Sequence, residues 1–226
     1  MRIDFILAVL ICAVLSYLIG SCNSAIITVK IMKGEDIREF GSGNAGLTNT
    51  LRCFGKLPAL FTLLGDLLKG IVAVILCRII CTLMEVGLGP ENDVHFIGYV
   101  AGLAAVLGHI FPIYYKFKGG KGVLVGVSVF VVIDPLLFAI LILIFAVILS
   151  ISKYVSLSSI IATTCCPVGT FLLHYFLNEQ SVQLSLLYTL MTIPICFIVI
   201  FMHKSNIQRL KNGTENRFSF GGKKEK

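Results

Sequence analysis

Charge is scarce in this chain. Asp, Glu, Lys and Arg make up 14% of the 226 residues, against 57% that are hydrophobic, whereas a soluble domain carries roughly a quarter charged residues. That scarcity excludes a soluble globular domain and indicates an integral membrane protein, for which no nucleic-acid partner is expected. The eight cysteines lie mostly inside apolar runs, none forms a Cys-x-x-Cys pair, and the four histidines are scattered. The spacing of a zinc site is therefore missing, and the cysteines read as small buried side chains. There is no internal repeat and no low-complexity segment. A cleaved signal peptide is not expected either. The apolar stretch from Phe5 to Gly20 is slightly long for a signal core, Ile19-Gly20-Ser21-Cys22 is a poor cleavage site, and further apolar runs follow.

What is present is a series of apolar runs approaching or exceeding the ~18–20 residues that cross a bilayer as a helix. Helices are expected near 3–24, 57–84, 95–113, 122–134, 135–151, 155–176 and 184–203. A single helix from Val123 to Ser150 would run about 42 Å against a hydrocarbon core of about 30 Å, and Asp134-Pro135 interrupts it. Charge chooses between the two counts. With seven spans, sixteen of the nineteen Lys and Arg fall on one face: Lys30, Lys33, Arg38, Arg52, Lys56, Lys116, Lys118, Lys121, Lys153 and seven in the tail. Six spans would move those seven to the other face. The positive-inside rule then puts the N-terminus outside and the C-terminus in the cytoplasm. The expected architecture is an all-α integral membrane protein of about seven transmembrane helices, in one domain over residues 1–218. Residues 219–226 form a basic, frayed cytoplasmic tail near anionic headgroups.

Three polar blocks on that face interrupt the apolar pattern. The first runs from Asp36-Ile37-Arg38 through Gly41-Ser42-Gly43-Asn44-Ala45-Gly46-Leu47-Thr48-Asn49 to Arg52. Its hydroxyls, amides and approachable backbone N–H groups can bind phosphate oxygens or a developing oxyanion, and its arginines can neutralise phosphate. An ordinary polar turn carrying topology charges accounts for the same residues equally well. In the second block, Gly119-Gly120-Lys121-Gly122 leads directly into an apolar helix, whose N-terminus is an anion site. It is not a Walker A loop, which would need Ser or Thr at Gly122 and Gly at Tyr115. The third block places His203 and Asn206 at i and i+3, on one helix face. Asp66 and Lys69 share that spacing inside an apolar helix, where each alone would cost about 2.5–3.5 kcal/mol, so mutual pairing is expected. His109, at a helix end, reads more simply as structural than as catalytic.

In these segments the chain resembles the acyl-phosphate-dependent glycerol-3-phosphate acyltransferases of bacteria, the PlsY family. The shared blocks are Asp36-Ile37-Arg38 with Gly-Ser-Gly-Asn-x-Gly-x-Thr-Asn; Gly108-His109-x-Phe111-Pro112 with Phe117-Lys-Gly-Gly-Lys-Gly122; and His203-x-x-Asn206-Ile-x-Arg209-Leu210-x-x-Gly213-x-Glu215. Gly65-Asp66-x-x-Lys69-Gly70 also fits. Cys22-Asn23-Ser24, Leu47 and Leu124-Val125 depart from the usual pattern.

The resemblance implies attack by the sn-1 hydroxyl of glycerol 3-phosphate on a fatty acyl phosphate, giving 1-acyl-glycerol 3-phosphate and phosphate. It implies the first acylation of bacterial phospholipid synthesis at the cytoplasmic membrane, with no cofactor, metal or acyl-CoA. The upstream soluble enzyme that makes acyl phosphate is an expected partner. The His-x4-Asp motif of soluble-type acyltransferases is absent, since Val100, Tyr114, Glu179 and Gln208 stand five residues beyond the four histidines. By resemblance, Ser42, Arg52, Lys121, His203 and Asn206 carry the chemistry. Arg38, Gly43, Asn44, Thr48, Asn49, Gly119 and Gly120 bind substrate, and Asp66, Lys69, His109, Arg209 and Glu215 support them. A transporter of organic phosphates is the alternative from another class. Transporters, however, commonly show internal repeats and a site at mid-membrane, and here the polar blocks cluster at one face. A non-catalytic membrane scaffold would leave the Ser/Asn/Thr/Gly array unexplained.

Overall fold

A computed structural model describes residues 3–86 and 94–218 of the chain. The tail at 219–226 lies outside the described residues. Among the described residues there are helices and turns but no strand. In chain order the α-helices are α1 (Ile3–Ser21), α2 (Ser24–Lys33), α3 (Leu47–Phe54), α4 (Lys56–Leu83), α5 (Val94–Ile110), α6 (Val123–Ile133), α7 (Pro135–Ser152), α8 (Val155–Leu172), α9 (Val182–Phe201) and α10 (Lys204–Lys211). A π turn, Leu173–Leu177, extends α8.

Among the described residues, six stretches are long and apolar enough to cross a membrane: Ile3–Lys33, Lys56–Leu83, His95–Tyr115, Pro135–Ser152, Val155–Leu177 and Val182–Phe201. Their outward faces suit lipid. On α4, Leu57, Leu60, Phe61, Leu64, Leu68, Val72, Ile75 and Ile79 are all exposed, a stripe that would be untenable in water. The seventh, α6, has 11 residues and rises only about 16 Å, too short to cross a bilayer alone. It runs antiparallel to α5, with Val129 against Gly102 and Ile133 against Gly98. Asp134 ends it, and Pro135 opens α7 at the first helical position, where a missing N–H costs nothing.

Two expectations near the N-terminus need correction. The first helix stops at Ser21 rather than at residue 24, and residues 25–33, outside any expected helix, belong to α2. Asn23 makes the difference. Its side-chain oxygen accepts from the Ile26 N–H at 3.1 Å and caps α2, while its amide donates to the Ala45 carbonyl at 3.3 Å and ties α2 to the first polar block. Within that block, residues 47–54 are helical as α3.

The closest packing is between α1 and α5. A Cβ added at Gly20 would lie 2.1 Å from the Ala105 carbonyl oxygen, and one at Gly108 would lie 2.1 Å from that of Tyr17. Small residues that admit backbone contact are the usual means of helix association in lipid, where no hydrophobic drive holds helices together. The main core fills the centre with Cys12, Val74, Cys77, Ile97, Tyr99, Val129, Phe130, Leu137 and Tyr188. Glycine contact thus fixes the end of α5 that carries His109 and the second polar block.

Candidate active site

The three blocks meet around one cavity of about 380 Å³. Its polar lining includes Ser42, Asn44, Thr48, Asn49, Arg52, Asp66, His109, Lys121, His203, Asn206, Arg209 and Glu215. Fold and cavity thus gather residues separated by more than 170 positions. Ser156, Ser159 and Asn216 also line it; the sequence reading missed them. The two serines stand at i, i+3 on α8, a spacing indistinguishable from the small-residue packing common in membrane helices.

Three helices begin at this cavity without a side-chain cap: α3 after Gly46, α6 after Gly122 and α10 after His203. An uncapped first turn offers unpaired N–H groups and the positive end of the helix dipole. Arg52 and Lys121 add full charges, and Arg52 has no ion-pair partner among the described residues. The cavity is therefore built for anions.

Hydrogen bonds fix the orientation of its groups. Glu215 accepts from Ser156 at 2.8 Å and from the Asn206 amide at 2.7 Å on one oxygen, and from Arg209 Nε at 2.7 Å on the other. Burial opposes ionisation of Glu215, yet these donors hold its carboxyl below the ordinary value. With the Asn206 amide turned toward Glu215, its carbonyl oxygen accepts from the Lys121 ammonium. Lys121 itself is lowered to about 8, first by burial and then by the positive charges of Arg209 and Arg52, while Glu215 pulls the other way. His203 is buried, and its Nδ1 lies 2.8 Å from the Val199 carbonyl. A carbonyl can only accept, so Nδ1 carries the proton and Nε2 presents a lone pair. Burial lowers His203 to about 4, so it is neutral at pH 7.

Other expected site residues are engaged elsewhere. Arg38 forks onto Asp36, with a closest approach of 2.6 Å, and reaches the carbonyls of Tyr115 at 2.9 Å and Lys118 at 3.4 Å. It fastens the first block to the second and does not line the cavity. The Gly119 and Gly120 N–H groups donate to the carbonyls of Ile110 and His109, both at 3.1 Å. A Cβ at Gly120 would sit 2.1 Å from His109 Nε2, so close packing on α5 demands glycine there. Gly43 lies outside the cavity lining and turns with φ 70°. Asn49 acts on the loop, accepting from the Ser42 N–H at 3.0 Å and donating to the Phe40 carbonyl at 2.9 Å. That leaves the Ser42 side chain exposed at the cavity. The expected pairing inside α4 is present. Lys69 Nζ lies 2.8 Å from Asp66 Oδ1 and 2.7 Å from His109 Nδ1, a buried ionic floor joining α4 to α5.

An apolar groove adjoins the polar cavity. Its lining includes Phe130, Leu141, Cys166, Ile195 and Val199, and it shares Val123, Val127, Ile142 and Phe145 with the cavity. Anion-binding and hydrocarbon-binding surfaces are thus continuous.

Known proteins show the same plan. The family model described as glycerol-3-phosphate acyltransferase matches residues 10–213. A glycerol-3-phosphate acyltransferase of Chlorobaculum tepidum is 39% identical over 93% of this chain and 96% of its own. One of Clostridioides difficile is 36% identical over 97% and 99%. The crystal structure of PlsY, an integral membrane glycerol 3-phosphate acyltransferase, in its glycerol 3-phosphate form superposes with a TM-score of 0.76 at 32% identity, covering 93% of this chain and 96% of that one. Sequence, fold and site agree that this chain belongs to the glycerol-3-phosphate acyltransferase family and is an integral membrane acyltransferase of phospholipid synthesis.

Proposed function

We propose that the protein transfers a fatty acyl group from acyl phosphate to the sn-1 hydroxyl of glycerol 3-phosphate. The observation that carries this reading is the junction of an anion-lined cavity with an apolar groove, matching a substrate with a phosphate head and a hydrocarbon tail. The acyl chain lies along the groove, and its phosphate rests against the first turn of α3 and Ser42. Arg52 and Lys121 neutralise the two substrate phosphates. His203 Nε2 orients glycerol 3-phosphate, while Asn206, held by Glu215, keeps Lys121 in line. The hydroxyl oxygen bonds to the carbonyl carbon, the carbon–oxygen bond to phosphate breaks, and a phosphate oxygen takes the hydroxyl proton. The products are 1-acyl-glycerol 3-phosphate and inorganic phosphate. Acyl phosphate already contains a good leaving group, so positioning and preorganised charge supply most of the rate.

Purified protein in detergent, given glycerol 3-phosphate with either acyl phosphate or acyl-CoA, tests the proposal. Lysophosphatidate is expected from acyl phosphate alone. Equal product from acyl-CoA would overturn the donor assignment. No product from either, with phosphate ester uptake into sealed vesicles, would replace the enzyme by a transporter. The same blocks carry the proposed orientation, with the cavity on the cytoplasmic side, where a soluble enzyme could deliver acyl phosphate.

A further inference from the structure

A second cluster of chemically capable side chains lies at the other end of the bundle. Helix α5 starts near His95 and ends at the active site; α6 starts at the active site and ends at Asp134; α8 starts beside Ser156, and its π extension carries His174. The far ends of three helices therefore bring His95, Asp134 and His174 together. Their ligand-type atoms all lie within 4.8 Å of one another.

Asp134 stands between the two imidazoles. His174 Nε2 is 3.1 Å from its Oδ2 and His95 Nε2 is 3.6 Å from its Oδ1. Neighbouring ligands on one tetrahedral zinc, with bonds of about 2.0–2.1 Å, stand about 3.3 Å apart. The two measured separations lie near that value but run to different carboxylate oxygens, and the full donor set lies within 4.8 Å, so a bound ion would draw the three groups inward. Two imidazoles and one carboxylate also form a familiar donor set for divalent first-row metals, leaving a position for water.

The surroundings hold the three groups in place. The Tyr99 hydroxyl donates to Asp134 Oδ2 at 3.2 Å, the kind of outer contact that orients a ligating carboxylate. The Tyr188 ring packs at 5.5 Å from the His95 ring and 4.8 Å from that of His174. His174 is fully buried and Asp134 is 4% exposed, whereas the His95 side chain retains 19% exposure and offers a way in. The Asp134 carboxylate can only accept, so His174 Nε2 carries the proton and Nδ1, which has no hydrogen-bond partner, is the lone pair; metal at Nε2 would displace that proton.

We propose that His95, Asp134 and His174 bind a divalent first-row cation, Zn²⁺ by donor chemistry, which clamps the outer ends of α5 and α8 to the α6–α7 joint. The ion is structural, lying across the bundle from the acyl-transfer site, and it takes no part in that reaction. The joint is where a clamp is most useful, because Pro135 interrupts helix continuity between α6 and α7.

Full-length protein, purified in detergent and stripped with chelator, is titrated with Co²⁺ alone and then with Zn²⁺. Expected are visible d–d absorption saturating at one Co²⁺ per chain, its loss on Zn²⁺ addition, and a Tm raised by Zn²⁺. His95→Gln, at the partly exposed ligand, weakens binding by about 100-fold, and Tyr99→Phe by about 10-fold. Stripped enzyme below its Tm keeps its acyl-transfer rate, so this test is independent of the proposed reaction. Absence of d–d absorption together with a Tm indifferent to millimolar Zn²⁺ overturns the proposal. So does Co²⁺ binding that His95→Gln leaves unchanged, which would place the metal elsewhere. If His174→Gln fails to fold, the wild-type titration and His95→Gln still decide.

Discussion

The surroundings of Lys121 work against its own charge. Burial and two nearby guanidinium groups bring it to about 8, and the Asn206 carbonyl is its hydrogen-bond partner. A dianionic phosphate would reverse that balance. The free enzyme should lose its Lys121 charge as pH rises through about 8, so kcat/KM falls there. With substrate bound, the limb in kcat moves to higher pH because phosphate favours the ammonium. A flat kcat/KM profile between pH 7 and 9 would remove Lys121 from the mechanism. Lys121→Ala should cut turnover by roughly 100-fold, the scale for one preorganised electrostatic contact, with insertion intact. Lys116→Ala, outside the cavity lining, should change it far less. Equal small effects would leave Lys121 as a topology charge. At this scale the sequence showed which residues gather, because glycines, lysines and amides are conspicuous in apolar surroundings. It did not show what each one touches. Arg38 was expected on phosphate and is instead forked onto Asp36, and nothing local announces that Asp134 meets His95 and His174, each about 40 positions away.

Among the elements, the α1–α5 contact makes the sharpest claim. Gly108→Ala pushes a Cβ to 2.1 Å from a backbone oxygen that cannot swing aside. It should cost about 1–3 kcal/mol or more, as overpacking does, seen as a lowered unfolding midpoint in detergent. Gly126→Ala is the matched control, since its Cβ would meet nothing closer than 3.6 Å, and better helix propensity predicts a neutral or slightly stabilising change. Similar losses from both would mean that backbone contact is not what joins these helices. The long apolar runs make α4, α5, α7, α8 and α9 legible in the sequence. By contrast, α2 and α3 hid inside a polar stretch, because a cap such as Asn23 decides their existence and hydropathy is blind to caps. The short α6 packs against both α4 and α5 and carries the chain from the active-site end of the bundle to Asp134 at the other end.

For the molecule as a whole, orientation follows from charge. The sixteen basic residues assigned to one face predict that reporter fusions place the N-terminus outside and the C-terminus in the cytoplasm. Both ends on one side would contradict that distribution. The shared wall of cavity and groove has a kinetic consequence. If Val123, Val127, Ile142 and Phe145 guide a chain dissolved among lipid tails, the enzyme samples donor in two dimensions, and the governing variable is donor mole fraction in the bilayer. Adding inert phospholipid at constant bulk donor should then slow the reaction by surface dilution, whereas glycerol 3-phosphate, arriving from water, should obey its ordinary bulk concentration. One active site would thus follow two different laws of concentration, one for each substrate.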